Sequence, residues 1–146
     1  MNKIKTLTLS GKKYPYRCSN SVLAEIQEEY GTLAEFERKL SGRKLLLDKN
    51  GEPRTNEDGL KLYIKTEPSL KAVNFALPLM IEEGLQYEAD KKRKEAPEVD
   101  AKTIIGEIDI NPFELADMIL EEFYGALAIK KEIPSQKKTT EKKTQS

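Results

Sequence analysis

The side chains that usually carry enzymatic chemistry are scarce in this sequence of 146 residues, which has no histidine and a single cysteine, Cys18. Without an imidazole, the chain lacks the usual base that activates a cysteine or serine nucleophile. One cysteine forms neither an internal disulfide nor a cysteine-based zinc site. We therefore expect Cys18 to be a small buried or half-buried residue rather than a nucleophile.

Carboxylates are numerous in the last third of the chain, but their spacing does not fit the EF-hand loop. Their scatter along a capped helix is typical of a solvated face. The residues concerned are Glu98, Asp100, Glu107, Asp109, Glu114, Asp117, Glu121 and Glu122. The glycines fit neither a phosphate loop nor a dinucleotide fingerprint. The sequence predicts a non-enzymatic protein with no catalytic residues, no metal, no cofactor and no small-molecule substrate.

Basic residues suggest nucleic acid as a partner, but their setting argues against it. The chain carries 25 basic and 25 acidic side chains, and residues 1–129 hold 19 basic against 23 acidic ones. The cluster Lys91–Lys94 has acids on either side of it, and the folded part of the chain as a whole is acidic. We expect no nucleic-acid binding.

Hydropathy predicts one folded domain followed by a tail. No window approaches the roughly 20 apolar residues of a membrane span, and the first residues lack the apolar stretch of a secretory signal, so we expect no membrane association. Residues 129–146 are rich in lysine and contain few large apolar residues, too few to offset the entropy of ordering. We predict a domain over 1–128 and a disordered Lys-rich tail over 129–146.

The start of the domain predicts a β-hairpin and two helices. Residues 4–17 alternate apolar and polar side chains on either side of a turn at Ser10-Gly11-Lys12. Residues 21–30 show a helical repeat with Ser21 as the N-cap. A second helix begins at Thr32, which we predict to form a capping box with Glu35, and ends at Ser41-Gly42.

The region 43–66 has two interpretations. Its apolar runs Leu45–Leu47 and Leu60–Ile64 flank a segment with two turn dipeptides, Asn50-Gly51 and Asp58-Gly59. A hairpin with a long mobile loop is the first interpretation. An extension of the preceding helix followed by a loop is the alternative.

The longest predicted helix covers 68–92, with Thr66 or Glu67 as its cap and Pro68 in its first turn. Its centre is apolar on nearly all sides, which predicts the core helix of the domain, and Gly84 would mark the end of its well-packed part. A short helix is expected over 101–108. The predicted fold class is mainly α, a small helical domain with an N-terminal hairpin.

The last predicted helix, 111–128, starts with Asn111 as N-cap and carries apolar residues over more than one face. These side chains are either plain core or partly left for another protein. A helix face laid into a groove is a common recognition mode. The residues from which exposed members would contact a partner are Phe113, Met118, Leu120, Phe123, Tyr124 and Leu127.

Three segments together resemble the tail assembly chaperones of long-tailed phages and prophages of Gram-positive bacteria. Residues 14–42 are similar to the opening of that family, with its Tyr-Gly step at Tyr30-Gly31. Residues 69–89 are similar to its central helix and its Ile-Glu-Glu-Gly-Leu ending, and INPFELADMILEEFYGAL is similar to its last helix.

The resemblance implies a protein that binds and solubilises the tape measure protein and helps to recruit tail tube subunits during tail morphogenesis. It implies action in the cytoplasm of the host bacterium and absence from the mature virion. The apolar face would also serve self-association. Two alternatives remain, a virion structural protein such as a tail completion or connector subunit, and a small DNA-binding regulator.

Overall fold

The computed structural model describes the backbone of residues 4–132 and the side chains up to residue 128. Helices dominate it, and the predicted mainly α class with an N-terminal hairpin is confirmed. Within this range the elements are β1 (Lys5–Leu9), β2 (Lys12–Tyr16), α1 (Asn20–Tyr30), α2 (Leu33–Ser41), β3 (Arg43–Leu45), β4 (Tyr63–Lys65), α3 (Leu70–Lys92), α4 (Ala101–Glu107) and α5 (Pro112–Glu132).

The β1–β2 hairpin forms as predicted and covers one end of the helices. Its strands pair antiparallel from Lys5 with Tyr16 to Leu9 with Lys12, around the turn at Ser10-Gly11. Both turn residues have positive φ, as two-residue hairpin turns of the I′ type require. Its inward residues Leu7, Leu9, Tyr14 and Tyr16 are buried, so the hairpin belongs to the core.

Strand β2 lies directly on α3, and one glycine makes this possible. A Cβ atom at Gly84 would lie 2.7 Å from the carbonyl carbon and oxygen of Pro15. The Arg17 N–H donates to the Met80 carbonyl at 2.9 Å, one turn earlier on the same helix. Gly84 is therefore a packing residue in a buried part of α3, and the prediction that it ends the well-packed part is wrong, since Ala89 is buried as well.

Helices α1 and α2 end at glycines as expected, but one cap differs. Ser19, not Ser21, accepts the hydrogen bond from the Val22 N–H, so α1 begins at Asn20. Thr32 accepts from the Glu35 N–H at 3.0 Å, as predicted. The Glu35 carboxylate turns instead to Arg38, whose guanidinium donates two hydrogen bonds to it. This ion pair replaces the other hydrogen bond of the expected capping box, from the Thr32 N–H to the Glu35 carboxylate.

Helix α3 is the central helix, as predicted, and packs against β2, α1, α2, α4 and α5. Val73, Ala76, Leu77, Met80 and Ile81 are almost completely buried along it. The predicted cap is wrong by a few residues. Ser69 accepts from the Ala72 N–H, so the helix starts at Leu70 and Pro68 precedes it. Proline is tolerated immediately before the N-cap, because its missing N–H removes no hydrogen bond of the helix there.

Helices α4 and α5 close the core from the other side. Ile104 of α4 and Leu115, Ile119 and Phe123 of α5 are each at most 1% exposed. Asn111 caps α5 through hydrogen bonds from the Phe113 and Glu114 N–H groups, as predicted. The helix continues to Glu132, beyond its predicted end at 128, because nothing in the sequence breaks it there. The remainder of the predicted tail, 133–146, lies outside the described residues.

Candidate protein-binding surface

Residues 43–65, which we call the arm, form a projecting hairpin. β3 and β4 pair antiparallel, with Arg43 opposite Lys65 and Leu45 opposite Tyr63. The first interpretation of this region, a hairpin, is confirmed. The expected long mobile loop is replaced by an ordered structure, because further bridges join Leu47 to Pro53 and Thr55 to Lys61.

Two turns of the same construction order the arm. Asp48 Oδ1 accepts from the N–H groups two and four residues later, and Asn56 Oδ1 does the same eight residues further on. Each turn is closed by a glycine with φ of 82°, Gly51 in the first and Gly59 in the second. These two Asx turns form a short internal repeat, which the dipeptides Asn50-Gly51 and Asp58-Gly59 mark in the sequence.

Three backbone hydrogen bonds hold the strands of the arm together in a closed cycle. The Leu46 N–H donates to Leu62 O, the Leu62 N–H to Arg54 O, and the Arg54 N–H to Leu46 O, at 2.8–2.9 Å. The arm therefore owes its order to main-chain and turn hydrogen bonds. Within it, no side chain is buried, and Leu45, Leu46, Pro53 and Leu62 are half-buried.

Apolar side chains are concentrated on the outside of the arm. Of the seven large apolar side chains exposed in the described part of the chain, four belong to it, namely Leu47, Leu60, Tyr63 and Ile64. Leu60 is 63% exposed, the highest fraction of the seven. Exposed apolar side chains grouped in one place are typical of a protein-binding surface. Sequence reasoning placed this signal on α5 and missed the arm.

The strand segments of the arm carry no acidic residue. In the strand segments 43–47, 53–55 and 60–65 every charged residue is basic, namely Arg43, Lys44, Arg54, Lys61 and Lys65. The acids Asp48, Glu52, Glu57 and Asp58 all lie in or beside the two turns. Among the described residues, only Arg43 of the five basic ones has a carboxylate within 4.0 Å. The exposed apolar residues thus lie beside cations without a partner carboxylate.

The arm is attached to the helical body at a narrow root. The Gly42 carbonyl accepts hydrogen bonds from both the N–H and the Oγ1 of Thr66, each at 2.7 Å. A Cβ atom at Gly42 would lie 2.3 Å from the Thr66 carbonyl oxygen, and its φ is +75°. Only glycine fits there, because the outgoing and returning chains touch and the backbone is left-handed.

The six candidate residues of α5 separate into three groups. Phe123 and Leu120 are buried, at 1% and 8% exposure, and Met118 and Leu127 are partly buried against the core. Phe113 and Tyr124 are exposed, at 47% and 46%. Eleven residues make about three helical turns, so these two aromatic side chains lie on one face of α5, roughly 16 Å apart.

Carboxylates accompany the two exposed aromatic residues. We define the outer stripe of α5 by five exposed residues that share this face of the helix: Phe113, Glu114, Asp117, Glu121 and Tyr124. Residues 112–128 of α5 contain four acidic and no basic residues. The outer stripe is therefore apolar and acidic, whereas the strands of the arm are apolar and basic.

A chain of contacts, which we call the junction, joins the outer stripe to the arm. Tyr124 Oη donates to Glu37 Oε2 at 2.6 Å, and Arg43 Nη2 donates to both oxygens of the same carboxylate at 2.8 and 3.0 Å. The Arg43 guanidinium in turn lies 5.3 Å from the centre of the Tyr63 ring. Partial burial and the bond to Glu37 raise the pKa of Tyr124 to about 12, so its hydroxyl remains a donor.

The residues first considered for chemistry have structural roles. Cys18 is buried as expected, and burial raises the pKa of its thiol to about 12, which keeps it protonated and unreactive. Glu107 accepts from Lys12 Nζ at 2.8 Å and from Tyr14 Oη at 2.6 Å, so it ties α4 to the hairpin. Over residues 4–132 we find no cluster of three or more side chains suited to a metal ion. No helix in that range is long and apolar enough to cross a membrane.

Comparison of the chain with protein-family models, with curated proteins and with solved structures finds no match. The surface formed by the arm, the junction and the outer stripe is the structural feature that bears on a functional assignment.

Proposed function

We propose that this protein is a phage tail assembly chaperone, which binds the tape measure protein, keeps it soluble and helps to recruit tail tube subunits. It acts in the cytoplasm of the host bacterium and leaves the assembly before the virion is complete. It performs no chemical reaction. The proposal combines the family resemblance of residues 14–42, 69–89 and the last helix with the surface described above.

The observation that carries the proposal is the position of the exposed apolar side chains. Leu47, Leu60, Tyr63 and Ile64 lie on a projecting arm whose fold does not require them in a core. Apolar residues that stabilise neither the arm nor the body are accounted for by contact with another polypeptide. A partner with exposed apolar helices, which would aggregate alone, is the kind of client that such a surface shields from water.

The apolar interior of the body supports a binding rather than a catalytic role. Among the described side chains, none that is polar or charged is fully buried. Active sites usually hold ionisable groups away from water, where their pKa values are shifted to suit the reaction. The thiol of Cys18 is shifted in the direction that reduces its reactivity.

Co-expression tests the proposal. The full chain is produced together with a fragment of the tape measure protein from the same phage or prophage, and the soluble fraction of the fragment is measured. We expect the wild-type chain to increase that fraction severalfold. The double variant Tyr63→Asp/Ile64→Asp, which places two charges on the arm, should lose the effect.

The control variant is Asn20→Asp/Ala101→Asp, which adds the same charge at two exposed helix starts away from the arm. It should protect the fragment as well as the wild type does. Failure of the wild-type chain to solubilise any tape measure fragment would contradict the proposal. If the chain were also found in purified virions, a structural tail subunit would be the better assignment.

A further inference from the structure

The arm and the outer stripe carry opposite charges on one continuous surface. Strand residues alternate between faces, so Lys61, Tyr63 and Lys65 share one face of β4. Tyr63 contacts Arg43, and Arg43 shares the Glu37 carboxylate with Tyr124 of the outer stripe. The basic face of the arm therefore adjoins, through the junction, the acidic outer stripe of α5.

We propose that two copies of this chain associate through this surface, with the arm of each copy on the outer stripe of α5 of the other. In a two-fold dimer the same patch meets itself, so a patch is self-complementary when its two halves attract each other. Here one half offers the exposed ring of Tyr63 together with Lys61 and Lys65. The other half offers Phe113 and Tyr124 with carboxylates.

Charge complementarity selects a second copy as the occupant. Lys61 and Lys65 have no carboxylate within 4.0 Å in the described part of their own chain, and the same is true of Glu114 and Asp117 with respect to basic groups. Pairing the two sets across an interface would bring opposite charges together at the edges of apolar contacts. Such complementarity fixes the register of an interface and suppresses wrong partners.

This association uses the surface to which we assign the tape measure protein, but it does not depend on that assignment. In the absence of a client, a second copy would cover Tyr63, Phe113 and Tyr124 and so limit aggregation of the free protein. A client would have to displace this second copy, so the two occupants would compete.

Analytical ultracentrifugation of the full chain tests the proposal. At tens of micromolar we expect a species of twice the monomer mass of 16.6 kDa. Two charge-reversed variants, Lys61→Glu/Lys65→Glu in the arm and Glu114→Lys/Asp117→Lys in the outer stripe, should each raise the dissociation constant at least about tenfold, because like charges then face each other twice.

An equimolar mixture of the two variants provides the decisive measurement. In the mixed dimer the reversed arm faces the reversed stripe and the two unchanged halves face each other, so the dimer should return to near wild-type affinity. This rescue also shows that both variants are folded. Reversal at unrelated exposed sites, Lys94→Glu/Lys102→Glu or Glu95→Lys/Glu98→Lys, should leave the wild-type dimer unchanged.

Three results would overturn the proposal. They are a wild-type chain that stays monomeric at these concentrations, a mixture that remains as weak as its components, and a mass that grows without limit as concentration rises. None of them involves the tape measure protein. Solubilisation of the tape measure fragment by a monomeric chain would therefore uphold the proposed function while rejecting the dimer.

Discussion

The arm and the helical body of this protein are stabilised in different ways. In the body, apolar side chains from the hairpin and all five helices of the described range meet in one core, and residues such as Phe36, Leu77 and Ile119 are completely buried. In the arm, two Asx turns and a cycle of backbone hydrogen bonds give order while no side chain is buried. A segment that is ordered by its backbone keeps its apolar side chains available for contact with other molecules.

The largest effect is expected from a charge placed in the core of the body. Phe123→Asp should prevent folding, because Phe123 is 1% exposed and packs edge-on against Phe36 with ring centres 5.1 Å apart. Loss of a buried phenylalanine alone costs about 3–5 kcal/mol, and an unpaired buried carboxylate adds to this cost. Circular dichroism during urea unfolding measures the result.

Phe113→Asp is the matched control on the same helix. Phe113 is 47% exposed, so its replacement should change the free energy of unfolding by less than about 1 kcal/mol. If the two variants were equally stable, the division of α5 into a core face and an outer stripe would be wrong.

A smaller loss is expected at the contact between the hairpin and α3. Gly84→Ala introduces a Cβ atom 2.7 Å from the backbone of Pro15, and β2 must move to accommodate it. Overpacking of this kind typically costs about 1–3 kcal/mol. Thermal unfolding followed by circular dichroism should therefore show a lower melting temperature.

Gly125→Ala is the corresponding control, because nothing lies within 4 Å of a Cβ atom at that helical position. Alanine is favoured over glycine inside helices by up to about 1 kcal/mol, so this variant should unfold at a slightly higher temperature. A melting temperature for Gly84→Ala at or above that of the wild type would contradict the close packing of β2 on α3.

The smallest effect on stability is expected from removal of the arm. Replacing residues 45–63 by Asn-Gly keeps the Lys44 and Ile64 pair, a hydrogen-bonded pair of the ladder, and closes it with a two-residue hairpin turn. We expect the free energy of unfolding of the body to change by less than about 1 kcal/mol in urea, since the replaced segment contributes nothing to the core. Self-association, measured by sedimentation on the same sample, should be lost. If the body unfolded without the arm, the claim that the two regions are stabilised in different ways would be wrong.

The elements of the body could be predicted from the sequence because their apolar periodicity is set by the core that they form. The helix starts were less predictable. Ser19 and Ser21 have the same capping chemistry, as do Thr66 and Ser69, and only the packing of the helix decides which of each pair is used. The inward and outward faces of α5 could not be separated for a similar reason, because its apolar residues cover more than one side.

The arm was harder to predict because its order does not depend on hydrophobic burial. Its hydrogen-bond cycle joins residues 46, 54 and 62, and no periodicity of apolar residues reports such a contact. Asp48 and Asn56 are each followed by a glycine three residues later. This repeated pattern was the signal in the sequence for the two turns. The contact of Tyr124 with Glu37 joins residues 87 positions apart and becomes visible only in the folded chain.

The narrow root at Gly42 and Thr66 makes the arm separable from the helical body. Two short hydrogen bonds to the Gly42 carbonyl attach the arm, and the core ends before it. The segment from Arg43 to Lys65 can therefore be exchanged without changing the core. A foreign hairpin of similar width grafted between Gly42 and Thr66 would replace the exposed surface of the arm and leave the core of the body unchanged.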